Sequence, residues 1–283
     1  MINKQIRLQL FSIYTLLAIA VFSLAWFYGA DTVINNIKVF EKGTAPICQD
    51  VLNSVNGFSV FVYGASSFYI ATATVLFSGL FLSGAFLYDK NSGFGNICIT
   101  RIGYDKYFCK KIIAIFLSSF ISIAMILSMI FIVCLFVFST QSPSELFNAD
   151  MANTKITLFF FSHPYILSFA VIFTISLQAS LFTILGLCFS FFSSNRFIVG
   201  VLPFALFLFF IVFPQMFERK SNFGKYLAWI FPQYFSEFFT SNQFWYTELS
   251  LPAVYCVHVL ILLTPTIALL ILLYQKNRKS YIK

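Results

Sequence analysis

Side chains able to do acid–base, nucleophilic or metal chemistry are few in this chain. Among 283 residues there are ten Asp and Glu, six Cys and two His, His163 and His258. Two imidazoles are too few for an ordinary zinc centre, and no H-E-x-x-H or G-x-S-x-G stretch offers a metal-bound water or an elbow serine. No G-x-x-x-x-G-K-[ST] stretch exists to cradle nucleotide phosphates. The paired carboxylates that an intramembrane aspartyl or glutamyl protease requires are missing from the apolar runs. The chain alone is therefore read as a non-enzyme with no cofactor of its own. Within the apolar runs, Gln178 and His258 stand out: each either lines a substrate path or hydrogen-bonds between helices. The remaining polarity gathers in "YDKNSGFGNICITRIGYDKYFCKK", residues 88 to 111, which carries seven charges between two long charge-free runs.

The elements around these residues follow from composition. The chain is 59% hydrophobic and 10% charged, with forty Phe and a mean hydropathy of +0.86, whereas a soluble domain carries about 25% charged residues. An all-α polytopic membrane protein is expected. Apolar runs at 8–28, 59–87, 112–138, 166–193, 197–214 and 252–274 are each long enough to cross a hydrocarbon core of roughly 30 Å. These six spans form a single transmembrane domain over 1–283. The first is longer than the apolar stretch of a signal peptide and is read as a retained helix.

Charge sets the orientation. The N-terminal segment, the 88–111 loop, Arg196 and the C-terminal tail hold twelve of the eighteen Lys and Arg against two acids, a net +10; the opposite loops hold six against eight, a net −2. The positive-inside rule makes the first set cytoplasmic, together with both termini. The basic pI then follows from topology and gives no support to nucleic-acid binding. No Asp, Glu, Lys or Arg falls inside a proposed hydrocarbon core, which argues against a proton- or voltage-driven carrier built around a buried carboxylate. Of the Cys, only Cys48 is expected to face outward, so no disulfide framework is expected.

Segments between the spans differ in kind. Residues 29–58 and 139–165 read as outer loops, and the turn near Arg196 as a short inner one. The outer segment 215–250 contains KYLAWIFPQYFSEFF, split by Pro232, and reads either as a re-entrant helix pair or as one amphipathic surface helix. Small residues of the second span (Gly64, Ala65, Ala71, Ala73, Gly79, Gly84) allow close helix approach, within one chain or between two. In the 88–111 loop, Gly93 and Gly95 permit the turn out of the second span. Phe94, Ile97, Ile99, Tyr104 and Tyr107 suit docking on the inner interface or on a partner, and Lys106, Lys110 and Lys111 lie where the chain re-enters the membrane or meets anionic headgroups.

Taken together, these features resemble the ABC transporter type-2 permease family. The resemblance rests on Asp89-Lys90 and Gly93 after the second span, then Thr100-Arg101-Ile102-Gly103-Tyr104-Asp105-Lys106 and Lys110 entering the third. It rests also on GLCFSFFSSNRF at the end of the fourth span and LAWIFPQYFSEFF before the last. Asp89 stands where the family usually has Glu, and Arg101 where it often has Pro. The resemblance implies a type-V exporter architecture with an inner coupling helix and re-entrant outer helices. Its coupling residues would be Gly93, Gly95, Ile99, Arg101, Tyr104, Lys106 and Lys110. The partners would be ABC ATPase subunits, which bind ATP and magnesium, a second permease subunit in a homodimer or heterodimer, and membrane lipids. A path lined by Phe, Ser, Thr and Gln would suit an amphipathic or lipid-like cargo such as a hydrophobic peptide, an antibiotic or a lipid. The alternative is a six-helix immunity, sensor or assembly protein of the plasma membrane that binds a partner and transports nothing.

Overall fold

The computed structural model describes residues 13–41, 57–79, 89, 91–138, 163–193, 195–216 and 251–282. Among these there are eight α-helices and no strand: α1 (Ile13–Glu41), α2 (Gly57–Ala65), α3 (Phe68–Phe77), α4 (Phe94–Ile102), α5 (Tyr104–Val137), α6 (Pro164–Phe189), α7 (Arg196–Met216) and α8 (Leu251–Ile282). Local signals account for several boundaries. Pro164 opens α6, where its missing N–H costs nothing. Ser67 caps α3 by accepting from the Ile70 amide. Gly103, at φ 81°, both ends α4 and precedes α5.

α5 and α6 are each long and apolar enough to cross a membrane, and α2 with α3 makes a third candidate if the bent pair is one span. Shorter described apolar stretches lie in α1 (Leu17–Asp31), α7 (Phe197–Phe209) and α8 (Thr266–Gln275). The outward surface is apolar as well: Leu24, Met125, Met129, Ile132, Phe136, Phe169 and Phe173 are all exposed. A water-facing bundle would not present such a belt. These are the properties of a membrane protein.

Three boundaries differ from the sequence reading. α1 continues through the start of the expected 29–58 loop to Glu41, because Asn35, Asn36 and Lys38 lower hydropathy without breaking a helix. The third apolar run, expected to begin at 112, belongs to a helix that starts at Tyr104. The second run is not one straight helix: α2 and α3 meet at Ser66–Ser67 with a 56° bend. The expected re-entrant segment lies, from residue 217 on, outside the described residues.

The main core cluster is built from α1, α2, α3, α5 and α6 around Phe22, Phe58, Phe61, Ile70, Ile123, Leu127 and Ile175. The small residues of the second run serve contacts within the chain. Gly64 lies under the Trp26 ring of α1, and Gly79 abuts the Gly200 carbonyl of α7, so that a side chain at either position would overlap its neighbour. Gly84 lies outside the described residues. Between α5 and α6, which share the largest interface, runs a seam of buried hydroxyls. Ser122, Ser176 and Ser180 each donate to a carbonyl four residues back in their own helix. Ser119 and Thr183 join the two helices at 2.9 Å.

Candidate functional site

The described residues of the seven-charge segment, 89 and 91–111, form an assembly around the start of α5. α4 is nine residues long, bracketed by Gly93 at φ 71° and Gly103 at φ 81°. A residue with a Cβ adopts that left-handed region at a cost, so the two glycines fix where this helix begins and ends. Gly103 N donates to Ile99 O at 2.9 Å, closing the last turn. α4 packs chiefly against α5.

Beneath it sits a buried ion pair. Tyr107 and Lys111 are one turn apart on α5 and therefore share a face. Lys111 Nζ donates to Asp89 Oδ2 at 2.7 Å, and Tyr107 OH donates to the same oxygen at 2.9 Å. All three residues are buried, Lys111 being only 2% exposed. Gly95 makes room for this cluster, since a Cβ there would stand 3.3 Å from the Asp89 carbonyl oxygen and 3.4 Å from the Tyr107 hydroxyl. Gly95 thus serves close packing of α4 on the pair, while the turn expected of it belongs to Gly93. Two further expectations are corrected here. Tyr107, expected to dock outward, points into the protein, and Lys111, expected to meet headgroups or orient the chain, is consumed by Asp89.

A second tie joins α5 to α8. The Tyr104 ring stacks on Phe108 (centroids 5.8 Å apart) and on Tyr274 (5.9 Å), and Phe108 also meets Phe191 beyond the end of α6. Tyr274 OH donates to Asp105 Oδ1 at 2.7 Å, and Arg278 approaches Asp105 Oδ2 at 3.3 Å. This ion pair is about half exposed and by itself adds little, of order 0–1 kcal/mol. Its geometric effect is larger: the segment that starts at Gly103 is held to the last helix as well as to its own.

Among the described residues, no such tie is seen on the opposite face of α4. Ile99 and Ile102 are half-buried on the side of buried Gly95, whereas Phe94 (48% exposed) and Ile97 (53%) share the outer side with exposed Arg101. Lys106 and Lys110, a turn apart on α5, are also exposed. Of the residues expected to couple to a partner, Arg101, Lys106 and Lys110 therefore stand on the surface, Gly93 and Gly95 shape the helix, and Ile99 and Tyr104 are held half-buried. Gln178 is fully buried on α6, well away from this cluster in sequence, and His258 lies on α8 with its side chain outside the described residues.

Among the described residues no group of three or more His, Cys, Asp or Glu side chains could hold a metal. The described side chains of the assembly include no nucleophile–base pair. What it offers is mechanical: a short helix with an exposed apolar and basic face, anchored below by an ion pair and beside it by an aromatic stack. No protein-family model, no curated protein and no solved structure matches the chain.

Proposed function

We propose that the chain is the transmembrane permease subunit of an ATP-driven exporter in the cell membrane. It has six spans with both termini in the cytoplasm, pairs with a second permease subunit, and is driven by separate ATPase subunits that bind ATP and magnesium. The observation that carries this reading is α4. A turn between two spans needs only a few residues, yet this connection contains a glycine-bracketed helix with exposed Phe94 and Ile97 beside Arg101. Aromatic and aliphatic anchors next to an arginine are what a protein partner's groove accepts.

Movement of a partner that grips α4 reaches the bundle by two routes. Through Gly95 and the Asp89–Lys111–Tyr107 cluster it bears on α5, and through Tyr104 and Asp105 it bears on α8. Closure of an ATPase dimer would then shift the balance between inward- and outward-open states of the spans. The cargo is amphipathic or lipid-like, since α5 from Ile112 onward and the whole of α6 carry hydroxyls and aromatics but no fixed charge.

Cys109 is exposed and Cys98 partly so on the α4 side, so a membrane-impermeant maleimide should label them only after cells are opened; labelling in intact cells would reverse the orientation. In the purified complex held in lipid nanodiscs, a hydrophobic peptide should stimulate ATP hydrolysis saturably. Stimulation by simple salts alone, with none by amphiphiles, would contradict the cargo class.

A further inference from the structure

We draw no further inference here: the strongest candidate, the groove along the outward face of α5 around Ile121, Met125, Ser128 and Met129, is an exposed apolar helix face, and nothing in the structure shows what covers it.

Discussion

Replacing Lys111 with Met should remove most of the folded chain from detergent extracts, while replacing Lys111 with Met and Asp89 with Asn together should restore much of it. The single change leaves the Asp89 carboxylate buried with, among the described residues, the Tyr107 hydroxyl alone to meet it. Breaking a buried pair from one side costs about 3–5 kcal/mol, whereas replacing both partners by neutral groups is often close to neutral. Against a total stability of about 5–15 kcal/mol, the single change takes a large fraction. Tyr107→Phe removes one hydrogen bond to a charged group and should cost less, about 1.5–3 kcal/mol. A double-mutant cycle on thermal melting in mild detergent measures the coupling directly. If Lys111→Met melts like the unaltered chain, the pair does not anchor α4.

Phe94→Glu combined with Ile97→Glu should have the opposite profile, with little change in melting and a large loss of partner binding. Both side chains are about half exposed on the outer face of α4, and surface changes away from packed features usually fall within about ±0.5 kcal/mol. As interface anchors each is worth about 2 kcal/mol. With tenfold per about 1.4 kcal/mol, the pair of changes should weaken ATPase binding roughly a thousandfold. If an ATPase docks on α4 as proposed, the exposed Arg101, Lys106 and Lys110 would be rim charges by comparison, and their removal should act mainly on association rate and salt dependence.

The charge pattern made much of this end of the molecule legible. A short helix lies within 88–111, where the glycine and aromatic pattern points to one, and Arg101, Lys106 and Lys110 stand exposed. Its ends, however, are set by Gly93 and Gly103, whereas the sequence reads the turn from Gly93 and Gly95. The Asp89–Lys111 pair was not legible, because counting charges treats Lys106, Lys110 and Lys111 alike. Only the one-turn relation of Lys111 to Tyr107 sets it apart, and the partner is 22 residues away. The break at Ser66–Ser67 was hidden for a different reason. Gly64, Ala65, Ser66 and Ser67 contain no proline, and small residues signal close approach as readily as a bend. Likewise, hydropathy falls after Tyr28 while the helix continues to Glu41, since hydropathy reports the surroundings of a segment and leaves its backbone undetermined.

Whether an ATPase holds this chain through α4 is tested most directly by purifying the chain from its native membrane in mild detergent. The co-purifying proteins are assayed for ATP hydrolysis beside those of the Phe94→Glu/Ile97→Glu variant. The expected result is an ATP-hydrolysing subunit in stoichiometric amount with the unaltered chain and its loss from the folded variant. A folded chain that carries no ATP-hydrolysing subunit, or one that keeps it undiminished in the variant, would contradict the role assigned to α4.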